Sequence, residues 1–168
     1  MGTHTSRDAG LGDVLDSLRR IVQALRESSR RAEQRLGISG AQLFVLEKLA
    51  ESPSQSLNDL AARTHTHQSS VSTVVGRLVA QELVWRQPAE GDARRLELVL
   101  TPRGRRLATR TTGAAQERLI TAIRQLPPKS RDQLASLLRL VVKGMKTPPH
   151  KPRMFFDDAR KRSTQKHV

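Results

Sequence analysis

The segment from Leu57 to Thr101 constrains the fold most, because it orders two short helices, a turn and a hairpin one after another. Its helical patterns cover residues 57–62 and about 68–82. Strand patterns at Val84-Trp85-Arg86 and at residues 96–101 then flank a tip that carries glycine and arginine. A helix of this kind can enter a DNA major groove while an arginine-bearing hairpin reaches sideways. The order therefore predicts a winged helix-turn-helix, in a mainly α-helical protein with a small β wing.

The second of these helices has an apolar inner face and a small, polar outer face. Between Arg63 and Gln81 the chain has no acidic residue, which suits a groove lined with phosphates. An ordinary solvated helix face is the alternative, but such faces usually carry Glu and Lys, which form helices better than Ser and Thr. The residues predicted to contact DNA from this helix and its start are His67, Gln68, Ser69, Ser70, Ser72, Thr73 and Arg77.

Charge and aromatic content point to the same partner. The chain has 30 Lys and Arg against 16 Asp and Glu, a formal charge of +14, so polyanions are the expected ligands. It contains one Trp, three Phe and no Tyr. Proteins that bind single strands usually stack bases on aromatic side chains. The scarcity of aromatic residues therefore favours double-stranded DNA.

Several kinds of chemistry find no support in the sequence. There is no cysteine, which excludes disulfides, thiolate zinc sites and thiol-based redox sensing. His65 and His67 are too few for a metal site, which needs three or four converging ligands; phosphate or backbone contacts suit them better. No nucleophile–base constellation is present. We expect no enzyme activity, no cofactor and no metal, and a soluble, cytoplasmic protein, because no apolar run suits a membrane span or signal peptide.

Helical patterns also flank the central segment. Apolar residues recur from Leu11 to Leu36, and Thr101-Pro102 starts a helix that is predicted to continue to Pro127-Pro128. Inside the central segment, Ser39 with Gln42 forms a capping-box pattern, and Ser56 is expected to cap the short helix. The last helix covers about residues 129–145, and its predicted buried positions are Leu134, Leu137, Leu138, Val141 and Val142.

These patterns give the expected organisation of the chain. Residues 1–10 form a flexible N-terminus, residues 11–145 form one domain, and residues 146–168 form a basic tail. Within the domain, the winged helix-turn-helix spans about residues 39–101, and residues 11–36 and 103–145 are dimerisation helices. The apolar stripes of those helices exceed what one small subunit can cover. The sequence therefore predicts a homodimer.

The ordered combination of motifs resembles the MarR family (multiple antibiotic resistance regulators). The resemblance covers about residues 11–145, and its most specific parts are Ser69-Ser70-Val71-Ser72, Leu83-Val84-Trp85-Arg86, Asp92-Ala93-Arg94-Arg95 and Leu98-Val99-Leu100-Thr101-Pro102-Arg103-Gly104. It implies six helices and a homodimer clamped by the first, fifth and sixth. It also implies a recognition helix at residues 68–81 and a wing at residues 86–98.

The resemblance adds roles for individual residues. In the wing, Asp92 would orient Arg94, and Arg94 or Arg95 would enter the minor groove; Arg86 is a further expected DNA contact. Narrow minor grooves concentrate negative potential and attract arginine, although a solvated hairpin tip is the alternative. The family also binds small, often anionic aromatic effectors in a crevice beside the dimer helices. Candidate effector contacts are Arg19, Arg20 and Phe44, which could equally be surface arginines and a core phenylalanine.

Three positions depart from the family pattern. His67 stands where a serine or threonine usually caps the recognition helix, so Thr66 is expected to cap instead. Glu82 replaces a glycine, which deprives the helix end of its easily formed left-handed residue. Thr64 stands where an apolar residue is typical, so we expect looser packing between the two helices.

The function predicted from these observations is a ligand-responsive transcriptional repressor that binds a pseudo-palindromic operator as a homodimer. A weakly specific architectural DNA-binding protein and an activator of the same fold are the alternatives. The tail 146–168 has seven Lys and Arg against Asp157 and Asp158, and two of the three phenylalanines. It is expected to strengthen DNA binding, or else to dock on the domain through Met154, Phe155 and Phe156.

Overall fold

The structure is a computed structural model that describes residues 5–52, 55–110, 114–147 and 152–157. Seven helices and one hairpin occur among these residues, rather than the six helices expected. In chain order they are α1 (Thr5–Leu36), α2 (Gly40–Glu51), α3 (Leu57–Arg63), α4 (Gln68–Ala80), β1 (Val84–Ala89), β2 (Asp92–Leu100), α5 (Pro102–Ala108), α6 (Ala115–Gln125) and α7 (Pro128–Gly144).

Helix α2 lies at the centre of the core. Its sequence is apolar on nearly all sides, and Leu43, Phe44, Val45 and Leu46 are all buried, as expected for a helix surrounded by other elements. It packs against α1, α4, α5 and β2. Val71, Val74 and Leu78 of α4 belong to the same core cluster. The outer side of α4 is thereby fixed relative to the rest of the domain.

The capping box predicted at Ser39 and the cap predicted at Ser56 are both confirmed. Ser39 Oγ accepts a hydrogen bond from the Gln42 amide at 3.2 Å, and Gln42 Oε1 accepts one from the Ser39 amide at 3.0 Å. Ser56 and Asp59 make the same reciprocal pair at the start of α3, with both distances at 3.2 Å. Each cap contributes about 1 kcal/mol to helix stability.

The end of α4 confirms the consequence expected from Glu82. Glu82 has a φ of +56°, a left-handed conformation that a non-glycine residue adopts at a cost of about 1–2 kcal/mol. Its amide donates to the carbonyl of Val79, and the amide of Leu83 donates to that of Leu78. This is the Schellman pattern of bonds. It turns the chain sharply into β1, so the wing starts beside the end of α4.

The wing is an antiparallel hairpin in which Val84 pairs with Leu100 and Arg86 pairs with Leu98. Gln55 adds a short bridge to Leu98 on the other side of β2. Leu98 and Leu100 are buried, but Leu96 is 54% exposed. The alternation of Leu96, Leu98 and Leu100 along β2 predicts one buried face, and this is wrong for Leu96, because β2 extends beyond the edge of the core before it reaches the tip.

The single helix predicted from Pro102 to Leu126 is wrong, because the structure divides it into α5 and α6. The sequence between them contains Thr111-Thr112-Gly113, which lies outside the described residues and has weak helix propensity. Side chains from distant positions support the new start: Glu47 Oε2 accepts from the Ala114 amide at 2.9 Å, and Ser28 Oγ accepts from the Ala115 amide at 3.2 Å.

Close packing explains the glycine in Thr101-Pro102-Arg103-Gly104. A Cβ atom added to Gly104 would lie 2.0 Å from the carbonyl oxygen of Leu83. The same carbonyl accepts a hydrogen bond from the Thr101 amide at 3.1 Å, and Thr101 Oγ1 accepts one from the Gly104 amide at 2.9 Å. The start of α5 is thus pressed against the start of the wing.

Helix α6 is joined to the rest of the domain by polar contacts as well. Lys48 on α2 is buried, and its Nζ lies 2.7 Å from Glu117 Oε2 and 2.9 Å from Glu51 Oε1. Burial alone would lower the pKa of Lys48, but the hydrogen bonds to Glu117 and Glu51 outweigh it and raise the pKa. At the other end of α6, Arg124 Nη2 lies 2.9 Å from His65 Nε2 in the turn before α4.

The long helices α1 and α7 differ from this packed region. Helix α1 begins at Thr5 rather than Leu11, so it includes part of the N-terminal segment expected to be flexible. Its apolar residues from Leu11 to Val22 are exposed. The apolar positions predicted to be buried on α7 are wrong for the single chain, because α7 has no buried residue and Leu140 is 65% exposed. No other described element covers these stripes.

Candidate nucleic-acid interface

Helix α4 presents a line of small polar groups away from the core. At 100° per residue, Ser69 and Thr73 lie opposite Val71, Val74 and Leu78, and both are exposed. Gln68 is also exposed and Ser72 is half-buried. Because these side chains are short and uncharged, a polyanion can approach the helix closely along this line. The predicted contact residues from Gln68 to Thr73 therefore share one end of one helix.

The start of α4 differs from the sequence expectation. His67 is the N-cap residue, but no side chain caps the helix. Thr66 does not take over this role, because its hydroxyl donates to the carbonyl of Thr64 at 3.0 Å. Uncapped amides at a helix N-terminus, together with the helix dipole, attract anions. His67 is exposed beside them.

Thr64 does not loosen the packing in the way that its polarity suggested. It is almost fully buried, and its hydroxyl donates to the carbonyl of Leu60 at 2.8 Å. A buried hydroxyl that has a hydrogen-bond partner loses most of its desolvation penalty. The turn before α4 is therefore compact, and it holds α4 against α3.

The arginines of the wing differ in their contacts. Arg86 and Arg94 are exposed, and Asp92 Oδ1 accepts from the backbone amide of Arg94 at 3.0 Å. The aspartate thus contacts the main chain of Arg94. Arg95 Nη2 lies 3.3 Å from Asp59 Oδ2 at the start of α3. Hydrogen bonds from Ser56, and then the nearby Arg95, lower the pKa of Asp59 below its ordinary value of 3.8.

Two predicted DNA contacts on α4 are covered by the tail. Ser70 Oγ donates to the carbonyl of Pro152 at 3.2 Å, and Arg77 forms an ion pair with Asp157. Met154 is 4% exposed and belongs to the core cluster. The alternative that the tail docks is therefore confirmed for residues 152–157. Met154 is the anchor, whereas Phe155 is exposed.

The predicted effector contacts do not converge. Arg19 is exposed and pairs with Asp16 at 2.6 Å, Arg20 is exposed, and Phe44 is completely buried in the core. A cavity of about 280 Å³ lies elsewhere. It is bounded by α1, by α2, by Arg110 just after α5, and by Arg118 on α6. Its polar lining includes Arg31, Arg35, Arg110 and Arg118, above Ala32, Leu36 and Leu43. The only sequence signal for it was the spacing of four between Arg31 and Arg35.

Neither a metal site nor a membrane-spanning helix is found in the described part of the chain. Within residues 5–52, 55–110, 114–147 and 152–157, no group of three or more His, Asp or Glu side chains is placed to bind a metal ion. Across the same ranges, no helix combines the length and the apolar character needed to cross a membrane.

The hairpin and the exposed polar face of α4 together define a winged helix-turn-helix protein. Residues 36–95 match the model of the MarR family. A curated relative is the HTH-type transcriptional repressor MdtR of Bacillus subtilis (strain 168), which is 29% identical over 99 residues, or 59% of this chain. The match covers 64% of that relative, so this chain spans less than two thirds of its length.

Solved structures show the same fold. Bordetella bronchiseptica BpsR, whose DNA binding is regulated by 6-hydroxynicotinic acid, is 25% identical with a TM-score of 0.53, covering 88% of this chain and all of that one. The Staphylococcus aureus MepR–DNA complex is 22% identical with a TM-score of 0.51, covering 79% of this chain and 98% of that one. Residues 36–95 of this chain are thus similar to the MarR family, which confirms the resemblance over that region.

Proposed function

We propose that the protein is a homodimeric transcriptional repressor that binds an operator in double-stranded DNA. The observation that carries the proposal is the exposed, acid-free line of α4 beside the exposed arginines of the wing. Ser69, Ser72 and Thr73 would meet base edges in the major groove, and Arg94 would enter the neighbouring minor groove. The relative MdtR is named as a repressor, which supports the direction of regulation.

The remaining basic residues would supply affinity without sequence preference. A formal charge of +14 attracts the phosphate backbone, and each neutralised phosphate releases counterions. Binding should therefore weaken steeply as salt increases, while the contacts from α4 and the wing set the register. This division predicts that variants of α4 change sequence preference, whereas variants of remote lysines weaken binding to every sequence alike and reduce its salt dependence.

Dimerisation is supported by the uncovered stripes of α1 and α7. These helices expose the apolar residues Leu11, Val14, Leu15, Leu18, Ile21, Val22, Leu137, Leu138, Leu140, Val141, Val142 and Met145. So large an apolar surface on a small chain indicates an interface. A second copy of the chain would present two α4 helices to half-sites about one helical turn apart, which is the basis for proposing a pseudo-palindromic operator.

Response to a small effector is part of the proposal. Four arginines line the 280 Å³ cavity against one acidic residue, Glu27, which pairs with Arg31. The excess of positive charge beside the apolar residues Ala32, Leu36 and Leu43 suits a small anionic aromatic ligand. DNA binding by BpsR is regulated by one such molecule, 6-hydroxynicotinic acid. A ligand would act by favouring a dimer whose α4 helices are wrongly spaced for the operator. Titration with 6-hydroxynicotinate should show binding that Arg118→Gln weakens and Arg19→Gln does not; equal binding by both variants would exclude this cavity.

The high positive charge also favours one rival, a weakly specific architectural DNA-binding protein. Competition with bulk genomic DNA separates the two functions. A regulator should prefer its site over random DNA by at least about a thousandfold. An architectural protein should lose binding to every duplex in parallel as competitor is added.

The direct test is selection of bound fragments from genomic DNA, followed by footprinting at physiological salt. We expect a pseudo-palindromic footprint, and a loss of about 1–3 kcal/mol of binding free energy when one good base contact is removed. Thr73→Glu should lose the footprint, whereas the matched variant Thr121→Glu, at an exposed position on α6, should keep it. Equal footprints for both variants would refute the docking of α4.

A further inference from the structure

Residues 152–157, which we call the clasp, lie on the helix that is proposed to read DNA. We propose that the clasp is an intramolecular competitor of DNA for α4, so that the domain binds DNA fully only when the clasp is released. The inference rests on the proposed function, because it assumes that α4 meets DNA. It adds a site on α4 whose occupant is a segment of the same chain.

Three contacts of different kinds hold the clasp. Met154 inserts into the core cluster, where 4% of it is exposed. The carbonyl of Pro152 accepts from Ser70 Oγ at 3.2 Å. Asp157 is 7% exposed and pairs with Arg77, and its amide donates to the carbonyl of Met154 at 3.2 Å, closing a turn. The segment is therefore seated by an apolar anchor with a polar contact on each side.

The two polar contacts define which part of α4 is occupied. Ser70 and Arg77 are seven residues apart, or about two helical turns, so they lie on one flank of the helix. The flank borders the exposed line of Ser69 and Thr73. A clasp along this flank leaves less room for a DNA groove to approach α4. It does not cover Ser69 and Thr73, which stay exposed.

The chemistry of the occupied groups indicates competition. Ser70 and Arg77 offer hydrogen-bond donors, one neutral and one cationic, and the clasp meets them with a carbonyl and a carboxylate. The DNA backbone would satisfy the same donors with phosphate oxygens. Arg77 cannot pair fully with Asp157 and with a phosphate at once. Asp157 also brings a negative charge to a face that otherwise has none between Arg63 and Gln81.

Masking lowers the apparent affinity by the fraction of molecules in which the clasp is open. If the closed form is favoured about tenfold, then removing its ionic contact should tighten DNA binding by up to about tenfold. The effect concerns phosphate contacts, so it should appear on DNA of any sequence. A random-sequence duplex is therefore a sufficient probe, and the operator need not be known.

The first experiment measures the affinity of the full chain for a labelled random-sequence duplex of about 25 base pairs, long enough for two half-sites. Asp157→Ala should bind about five- to tenfold more tightly than wild type. Asp132→Ala removes the same charge from an exposed position on α7 and should stay within about twofold. Asp157→Ala binding no better than Asp132→Ala, or more weakly than wild type, would overturn the clasp.

A double-variant cycle tests whether Arg77 is the group released. Arg77→Gln should change affinity little in the wild-type background, where Arg77 is already paired, and weaken it about fivefold or more in the Asp157→Ala background. Equal losses in both backgrounds would contradict competition at Arg77. If no duplex binds to any of the proteins, the proposed function fails together with the clasp; if all bind equally, only the clasp fails.

Hydrogen exchange on the wild-type chain avoids variants altogether. The amide of Asp157, which is hydrogen-bonded to the carbonyl of Met154, should exchange at least about tenfold faster when the random duplex is saturating, because DNA displaces the segment. Unchanged protection at saturation would show that the clasp and DNA occupy α4 together, and would overturn the inference.

Discussion

The winged helix-turn-helix and the two long flanking helices both carry apolar residues at helical spacing, but these residues are covered in one region and exposed in the other. In α2 and α4 the apolar positions are buried by other elements of the same chain. In α1 and α7 most of them remain exposed. Apolar periodicity therefore fixes which face of a helix must be covered, but it does not say whether the cover comes from the same chain. The first region should be stable within one subunit, and the second should depend on a partner.

The largest effect is expected from a charge on the uncovered region. Val141→Glu would place two carboxylates in a symmetric interface between α7 helices, without cationic partners. We expect dimerisation to weaken by a thousandfold or more, which is about 4 kcal/mol. Sedimentation at micromolar concentration measures it. Ser136→Glu, on the polar side of α7, is the matched control and should remain dimeric; a dimeric Val141→Glu protein would remove the basis for treating the two regions as different.

The next effect lies within the self-covered region. Gly104→Ala would bring a Cβ atom against the Leu83 carbonyl, and such overpacking costs about 3 kcal/mol of unfolding free energy. Denaturant unfolding measures it. The control is Gly76→Ala on α4, where an added Cβ meets no atom within 4 Å, so stability should hold or rise by up to about 1 kcal/mol. Equal stability of both variants would mean that the wing and α5 are not tightly packed.

A smaller effect is a gain in stability at the end of α4. Glu82→Gly would supply the residue that a φ of +56° favours, and we expect an increase of about 0.5–1 kcal/mol in unfolding free energy. The neighbouring Gln81 has a φ of −95°, so Gln81→Gly should instead be destabilising. Thermal unfolding of both variants checks the pair. A destabilised Glu82→Gly protein would show that the Glu82 side chain contributes more than its backbone costs.

The smallest effect is a pH dependence of the α3 cap. Because the pKa of Asp59 is lowered in the folded chain, its contribution is present above the ordinary value of 3.8 and is lost as the pH falls through the lower folded pKa. The carboxylate is exposed, so solvent screening limits the loss to about 0.5 kcal/mol. Comparing unfolding at about pH 5 and pH 3 should show it in wild type and not in Asp59→Asn. If Asp59→Asn loses as much unfolding free energy between these two pH values as wild type does, the acid sensitivity belongs to another group.

Local chemistry made much of the winged helix-turn-helix predictable. Helix caps depend on residues a few positions apart, so the capping box of Ser39 with Gln42 and the cap by Ser56 could be identified from the sequence alone. The left-handed conformation at Glu82 was expected from the family resemblance instead, because the family usually has a glycine at that position. The polar line of α4 required only helical periodicity and the absence of acidic residues.

Features that depend on distant residues were not predictable in the same way. The break before α6 is stabilised by Ser28 and Glu47, which no local pattern connects to Ala114 and Ala115. The ion pair of Arg77 with Asp157 joins positions eighty residues apart. An apolar trio inside a basic tail signalled docking, but nothing in the sequence indicated where on the domain it would dock or that Met154 would be the anchor.

The attachments of α6 have a mechanical consequence. Contacts with Ser28, Lys48 and His65 tie this helix to α1, α2 and the turn before α4, whereas α7 has no buried residue of its own. We therefore expect the rigid part of the subunit to extend as far as Gln125, and Leu126-Pro127-Pro128 to be the joint about which α7 swings. A ligand that changes the distance between two recognition helices would act on this joint. Spin labels on α6 and α7 of one subunit should report the change in angle, and a fixed angle would place the joint elsewhere.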